Sequence, residues 1–340
     1  MPHNNQHISR KTTPWDNESN KTPSQEFLIK NYQNYYDYRH QPLKSTGESA
    51  LINSFVPECC PYCDSAGFRK YGLTKNDIQR YQCALCKRTF TPVTNTIFEG
   101  HKISISEWIE YTLNLLRYIS ITADSWNNRN AFTTSRYWLQ KLFLILEDYQ
   151  DSISLSGRVW LDETYYSVRN NDIIKNSVGL KPRGTSQNQL CIGVACTKQQ
   201  IICIHEGNGR PSKRKTYNAF KDHIAPKSVL VHDKDVAHSL LISSLDLTSE
   251  SYDSKVIKKL PDKDNPLNRV NQVHARLKDF LNAHSGFNRD NLQGYLNLFS
   301  FAMNPPHGYL EKVDELIMIA FQRRKTLRYR DLYTKKTSTT

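Results

Sequence analysis

The chain has 340 residues, which suits about two domains of roughly 100 to 200 residues each and excludes a lone peptide-sized module. It carries 46 Lys and Arg against 33 Asp and Glu, a formal net charge of +13, and its isoelectric point is near 9.3. This positive excess favours a polyanionic partner, nucleic acid first, over a neutral metabolite. A protein of the membrane surface would show the same excess, so charge alone does not choose between the two.

No run approaches about 18 consecutive apolar residues, and the first residues are polar where a secretory signal needs an apolar core. We therefore expect a cytoplasmic protein. Eight cysteines are too few for a disulfide scaffold in a chain of this length. In a reducing compartment, cysteines paired at short spacing more often bind metal.

The two ends differ in composition from the middle of the chain. Residues 1–50 are rich in Asn, Gln, Ser, Lys and Tyr and poor in aliphatic residues, so we expect a flexible polar arm there. Residues 306–340 are expected to form a basic C-terminal extension, dense in Lys and Arg from about Gln322 onward. Contact with DNA and a merely solvated end are equally good interpretations of that extension.

Four cysteines stand in two Cys-x2-Cys pairs with nineteen residues between the pairs. This is the ligand spacing of a tetrahedral zinc site, and metal binding would let a short segment fold without a large apolar core. We predict a zinc ribbon over residues 58–98, with structural Zn²⁺ held by Cys60, Cys63, Cys83 and Cys86. Basic and aromatic residues around the cysteines suit contacts with DNA phosphates. The alternative to DNA binding is a ribbon that only docks another protein.

Residues 103–150 show helical periodicity and predict three helices. Ser104 or Ser106 suits the N-cap of the first helix, and Thr133 or Thr134 suits that of the third. The third helix is expected to leave three polar residues outward: Arg136, Gln140 and Lys141. The segment resembles a helix-turn-helix unit, whose last helix can lie in a major groove of DNA. A small helical segment that only connects its neighbours would show the same spacing of apolar residues.

From residue 157 the pattern changes to short apolar runs typical of buried strands, interleaved later with helices, and it predicts an α/β domain. Two of these runs lead into aspartates: residues 159–161 precede Asp162, and residues 229–231 precede His232 and Asp233. A carboxylate at such a place is costly unless it is solvated or bound to metal. If both strands end at one edge of a sheet, their oxygens converge on a hard divalent cation.

A later helix, expected over about residues 268 to 283, has a buried stripe formed by Val270, Val273, Leu277, Phe280 and Leu281. At 100° per residue, Asn271, His274 and Lys278 lie together along one margin of that stripe, which can face a cleft at the sheet edge. The Asn271 oxygen is a candidate metal ligand, and Lys278 a candidate group for a phosphate or a terminal base. Each residue also has a simpler role, such as a turn, a cap or a solvated charge.

These motifs resemble a known family, the bacterial insertion-sequence transposases of the DDE superfamily, in particular the ISXO-two-like group. The matching stretches are residues 60–63, 83–98, 159–166, 229–233 and 270–278. The resemblance covers roughly residues 58–305. It implies a zinc ribbon, then a helix-turn-helix-like segment over residues 103–150, then an RNase H-like catalytic domain with a mixed sheet over residues 157–305.

The resemblance also implies a role for each matching residue. Asp162 and Asp233 match the two acids of the family, Asn271 matches its third position, and Lys278 matches the basic residue seven positions later. Most of the superfamily has Glu at the third position, whereas this group uses Asn, which keeps an oxygen ligand and removes one negative charge. Asp162, Asp233 and Asn271 would hold Mg²⁺ or Mn²⁺. The auxiliary ligand stays open among Glu163, His274, Asp262 and Asp264.

The implied activity is transposition, in which the enzyme binds the ends of an insertion sequence, cleaves there and joins the 3′-OH ends to target DNA by two-metal phosphoryl transfer. The expected partner is double-stranded DNA, both element ends and target. A homodimer or higher multimer is expected because two ends are handled together. The alternatives are a zinc-ribbon DNA-binding regulator derived from a transposase, and a metal-dependent nuclease that never joins strands. The expected location is the bacterial cytoplasm, at the nucleoid.

Overall fold

The computed structural model describes residues 22–27, 47–101, 103–127, 131–182 and 184–333. Most of the predicted polar arm, residues 1–50, and the last residues of the predicted basic extension lie outside the described residues. The chain divides into two compact units, one of Met1–Lys141 with Leu316–Thr340 and one of Leu142–Glu315. Within the described ranges, no helix has the length and apolar character needed to cross a membrane.

The cysteine-containing segment of the first unit is a small antiparallel sheet. Helix α1 (Glu48–Ser54) precedes the strands β1 (Phe68–Leu73), β2 (Gln79–Cys83) and β3 (Thr89–Phe90), which are ordered β1-β2-β3. The rings of Phe68, Tyr81 and Phe90 pack against one another with centroids 5.3 to 5.6 Å apart. The cysteines pack against these three rings, so the segment has little apolar core beyond them.

Three helices follow in the region of the predicted helix-turn-helix-like segment: α2 (Ile105–Leu116), α3 (Ile121–Asn127) and α4 (Phe132–Ile145). Ser104 is the N-cap of α2, and its hydroxyl accepts a hydrogen bond from the backbone N–H of Glu107 at 3.2 Å. Helix α4 already includes Thr133 and Thr134, so the prediction that one of them is the N-cap is wrong.

Lys141 on α4 departs from its predicted outward position. Its side chain is buried, with 5% of the residue exposed, and Nζ donates to the carbonyl of Ile97 at 2.5 Å and lies 4.5 Å from the centroid of the Tyr137 ring. Burial lowers the pKa of Lys141 to about 8. The prediction was wrong because the carbonyl that accepts its hydrogen bond lies 44 positions earlier in the chain, beyond any helical pattern.

The second unit is built on a five-stranded mixed sheet. Its strands are β4 (Arg158–Ser167), β5 (Gln189–Cys196), β6 (Ile201–Asn208), β7 (Val229–Asp233) and β8 (Thr248–Tyr252), in the order β6-β5-β4-β7-β8. The pairs β4–β5 and β5–β6 are antiparallel, whereas β4–β7 and β7–β8 are parallel. This sheet confirms the predicted α/β class and is consistent with an RNase H-like fold.

Further helices follow along the chain: α5 (Lys213–Phe220), α6 (Ser239–Ser244), α7 (Ser254–Ile257), α8 (Asn268–Ala283), α9 (Leu292–Met303), α10 (Tyr309–Gln322) and α11 (Tyr329–Tyr333). Val159 and Leu161 of β4 pack with Phe220 of α5 on one face of the sheet. Because side chains alternate along a strand, Asp162 points to the opposite face. Helix α8 contacts β4 and β5, and all five residues of its predicted stripe are buried.

Candidate functional site

Asp162 and Asp233 lie on neighbouring strands, just after the last paired residues of β4 and β7. Asp233 ends β7 as predicted, whereas the prediction that a strand ends at Asp162 is wrong, because β4 continues to Ser167 through its pairing with β5. Leu161 of β4 and His232 of β7 are partners in a parallel pair, so Asp162 and Asp233 are the next residues along the two strands. Paired strands lie about 4.8 Å apart, and residues at equivalent positions point to the same face. Both aspartates border a single cavity of about 280 Å³ at this edge of the sheet.

Asn271 in the first turn of α8 borders the same cavity. The structure therefore brings together the three predicted oxygen ligands Asp162, Asp233 and Asn271, although they come from two strands and a helix. Two carboxylates and one amide oxygen form a donor set that fits Mg²⁺ or Mn²⁺, since hard cations prefer oxygen ligands.

The environment of Asp162 also fits a bound cation. One carboxylate oxygen accepts a hydrogen bond from the backbone N–H of Glu163 at 2.9 Å, and the other lies 3.9 Å from Nδ1 of His274. Burial, together with the negative charges of Glu163 and Asp233, raises the pKa of Asp162 to about 7. A positive ion in the cavity would offset this repulsion and favour the ionised carboxylate.

Lys278 does not border the cavity of the aspartates. It lies seven residues after Asn271, about 10.5 Å along the helix axis, and borders a neighbouring cavity of about 570 Å³. Tyr165 borders both cavities, so the two are adjacent along β4. Arg289 lines the cavity of Lys278, and its guanidinium stacks over the Tyr166 ring at 4.7 Å.

The four residues considered as auxiliary ligands have different positions. Glu163 borders the cavity of the aspartates, whereas Asp262 and Asp264 lie in an exposed turn and do not border it. His274 is buried next to Asp162, and burial, aided by the charge of Lys278, lowers the pKa of its imidazole to about 4. Glu163 and His274 are thus the two that lie close to the aspartates.

Sequence reasoning assigned no role to two buried histidines beside the aspartates. Nε2 of His238 lies 3.0 Å from Oε1 of Glu163, and its Nδ1 lies 3.0 Å from Nδ1 of His232. His232, Asp233 and His238 also bring one ligand atom each to within 4.8 Å of one another. The available signal was the placement of His232 at the end of an apolar strand, directly before Asp233.

The four predicted zinc ligands, Cys60, Cys63, Cys83 and Cys86, form a cluster whose sulfurs all lie within 4.8 Å of one another. The Cys60–Cys86 and Cys63–Cys83 sulfur pairs are each 3.6 Å apart. A tetrahedral site with Zn–S bonds of about 2.3 Å requires sulfur separations of about 3.8 Å, so the cluster fits Zn²⁺.

Backbone amides of the second cysteine pair point at a ligand sulfur. The N–H groups of Cys86 and Leu85 donate to Sγ of Cys83 at 3.4 and 3.3 Å, and these hydrogen bonds lower the pKa of the Cys83 thiol to about 6. A thiolate is the form that binds metal, so the turn favours a zinc ligand at this position.

No family model and no curated protein matches this chain. Several solved structures are similar to part of it, among them the following two. One is an intasome of simian T-cell lymphotropic virus in complex with PP2A regulatory subunit B56 gamma, with 10% identity, a TM-score of 0.29, and coverage of 56% of this chain and 67% of that chain. The other is a pre-cleavage Mos1 transpososome, with 9% identity, a TM-score of 0.26, and coverage of 60% and 73%. Similarity at this level does not bear on function.

Proposed function

We propose that this protein is a DDE-type transposase, which binds the ends of an insertion sequence, cleaves there and joins the 3′-OH ends to target DNA. The main support is the shared cavity of Asp162, Asp233 and Asn271, at the point where the parallel pairing of β4 and β7 ends. Three oxygen donors held by a sheet and a helix suit phosphoryl transfer, which depends on positioned charge and needs no side-chain nucleophile.

Asp162 and Asp233 would hold Mg²⁺ or Mn²⁺ together with the amide oxygen of Asn271. When bound, a pair of such ions activates the attacking oxygen and stabilises the leaving 3′ oxygen. Water is the attacking group in the first step, which breaks a phosphodiester bond and frees a 3′-OH. In the second step that hydroxyl attacks a phosphodiester of the target, and a new phosphodiester forms as the bond to the target's own 3′ oxygen breaks, so one site serves both reactions.

Lys278 and Arg289 would bind phosphates of the same DNA strand in the adjacent cavity. Since Lys278 lies about 10.5 Å along α8 from Asn271, the phosphates it contacts are further along the strand than the one that reacts. A cation at this position contributes to affinity and to the register of the DNA, without reading its sequence.

The zinc ribbon and the three-helix segment of the first unit are the proposed duplex-binding parts. The ribbon exposes the aromatic side chains Tyr62 and Tyr71, with the guanidinium groups of Arg88 and Arg80 over their rings at 5.1 and 5.4 Å. Planar cations fixed in this way suit phosphate contacts. Two copies of the chain would be needed to hold two element ends, so we propose that a multimer forms on DNA.

The test uses full-length, zinc-loaded protein and a supercoiled plasmid that carries the gene with its native flanking DNA. In Mg²⁺ or Mn²⁺ we expect cleavage at the flanks and joined products. Asp162→Asn and Asp233→Asn should each abolish both reactions, because each removes a charged ligand. Asp222→Asn, at an exposed aspartate outside both cavities, is the matched control and should keep full activity.

The remaining outcomes distinguish the alternatives. Cleavage without joining would favour a metal-dependent nuclease, and DNA binding without cleavage would favour a regulator derived from a transposase. Cleavage that persists in both aspartate variants would contradict the proposed site.

A further inference from the structure

A chain of polar side chains, of which Glu163, His238 and His232 are buried, runs from β4 to β8 beside the aspartates. It begins at Glu163, passes through His238 and His232 with two contacts of 3.0 Å, and ends where Nε2 of His232 lies 2.9 Å from Oγ of Ser249. The side chains of Glu163 and His238 are 5% and 0% exposed, and His232 is buried. Polar groups so deeply buried need complete hydrogen bonding to be stable.

The proton positions along this chain can be assigned from its geometry. The two Nδ1 atoms face each other, so one of them must carry the hydrogen that joins them. If His238 donates from both ring nitrogens, it satisfies the Glu163 carboxylate with one and His232 with the other. Nε2 of His232 then donates to the Ser249 hydroxyl. Every member thus has a partner at hydrogen-bond distance, and no metal ion is needed to hold the two rings together.

Three of these linked side chains belong to the segments that carry the two aspartates. Glu163 directly follows Asp162 in β4, and His232 directly precedes Asp233 in β7. His238 belongs to the short helical turn Val236–His238, which comes just after β7. The contact of His238 with Glu163 therefore ties the segment after Asp233 to the segment after Asp162.

We infer that Glu163, His238, His232 and Ser249 form a positioning relay that holds Asp162 and Asp233 in the orientation needed to share divalent cations. The inference rests on the proposed function, because it gives the two aspartates the role of metal ligands. Glu163 borders the cavity of the aspartates and takes part in the relay through its contact with His238, whereas His238 does not border this cavity and is a positioning residue. Residues of this kind, one shell removed from a metal, typically change its affinity by roughly 10- to 100-fold when they are replaced.

The relay has a physical reason to be polar. An aspartate side chain can adopt several rotamers, and two neighbouring carboxylates repel each other until a cation is bound. Hydrogen bonds that fix the backbone beside each of the two aspartates reduce the conformational entropy that is lost when the cation binds. An apolar side chain at His238 would fill the same space, but it would remove the hydrogen-bond partner of the Glu163 carboxylate and of Nδ1 of His232.

The experiment measures Mn²⁺ binding by the full-length, zinc-loaded protein, with free Mn²⁺ followed by electron paramagnetic resonance. His238→Asn keeps an amide near the Nδ1 position and removes the group that reaches Glu163, and Glu163→Gln removes only the charge. We expect both variants to bind Mn²⁺ at least roughly tenfold more weakly than the wild type. Ser249→Ala, at an exposed position with little risk to folding, should show a smaller loss in the same direction.

His284→Gln is the matched control, since His284 is a buried histidine of the same unit that packs against Phe280 and Tyr295 instead of the relay. It should bind Mn²⁺ as the wild type does, even if its melting temperature falls. Melting temperatures of all variants separate a general loss of stability from a specific loss of metal affinity.

Each result has one meaning for the relay. Equal Mn²⁺ affinity in the wild type and the relay variants would overturn the relay and leave the proposed function standing. Weaker binding in these variants, with no DNA cleavage by the wild type, would support the relay and contradict the transposase. A wild-type protein that binds no Mn²⁺ would overturn both.

Discussion

Asn114 and Asp124 form a buried hydrogen bond of 3.0 Å, from Nδ2 of the amide to Oδ1 of the carboxylate, which joins α2 to α3. The hydroxyl of Ser135 on α4 donates to the other carboxylate oxygen at 3.1 Å. Asp124 has no exposed surface. A single carboxylate therefore connects the three helices of the predicted helix-turn-helix-like segment.

Replacing Asp124 should destabilise this segment strongly. Asp124→Ala removes the acceptor of both hydrogen bonds and leaves buried polar groups of Asn114 and Ser135 behind, so we expect the free energy of unfolding to fall by roughly 3 kcal/mol. Urea denaturation followed by tryptophan fluorescence measures this loss. Asp151→Ala, at an exposed aspartate, is the control. Equal urea midpoints for the two variants would show that the connection contributes no stability.

Removal of the metal should unfold the ribbon. We expect one zinc per chain in the wild type and very little in Cys83→Ser, because a site that loses one of four thiolates binds zinc far more weakly. Metal analysis gives the stoichiometry, and limited proteolysis within residues 58–98 reports the unfolding. Treatment with a strong chelator should have the same effect on proteolysis.

Cys59→Ser is the matched control for the zinc prediction. Cys59 directly precedes the ligand Cys60, but it lies outside the four-cysteine cluster and its sulfur contacts Arg324. The variant should keep its zinc and its resistance to proteolysis. Zinc lost from Cys59→Ser and kept in Cys83→Ser would mean that the ligand set is wrong.

The buried amine of Lys141 predicts a pH-dependent stability. Its pKa falls from 10.5 to about 8 in the folded protein, so between these values the unfolded chain binds more protons than the folded one. The free energy of unfolding should therefore rise as the pH increases from about 8 to 10.5, by up to roughly 3 kcal/mol, and Lys141 should add no slope below that window. The difference between the wild type and Lys141→Met, measured by urea denaturation across the window, isolates this contribution.

Lys75→Met serves as the reference for Lys141, because Lys75 is an exposed lysine of the same unit. It should follow the wild-type pH profile. A Lys141→Met profile parallel to that of the wild type would show that the amine titrates normally in the folded protein.

The parts of the fold that were predictable follow local rules. The helical spacing of Val270, Val273 and Leu277 predicted a helix over about residues 268 to 283, and the structure has α8 at Asn268–Ala283. The apolar runs before Asp162 and Asp233 predicted the two strands, although only β7 ends at its aspartate and β4 continues to Ser167. These predictions needed only the spacing of side chains along one element.

The parts that were not predictable depend on contacts between distant segments. His238 meets Glu163 across 75 positions, and Lys141 meets Ile97 across 44. Neither contact leaves a pattern in the neighbouring residues, so nothing in the sequence distinguishes His238 from an ordinary core histidine. Lys278 shares a helix margin with Asn271, yet the length of the helix separates their cavities, which periodicity around the axis cannot reveal.

The neutral ligand Asn271 predicts how the proposed enzyme depends on metal concentration. Asn271→Asp keeps an oxygen at the same position and adds a negative charge, which the first turn of a helix also favours. We expect the Mn²⁺ concentration for half-maximal DNA cleavage to fall by roughly tenfold in this variant and to rise by at least as much in Asn271→Ala. Gln272→Ala, at the exposed neighbour that does not border the cavity, should match the wild type. An unchanged metal requirement in both Asn271 variants would remove Asn271 from the proposed ligand set and leave the two aspartates as its members.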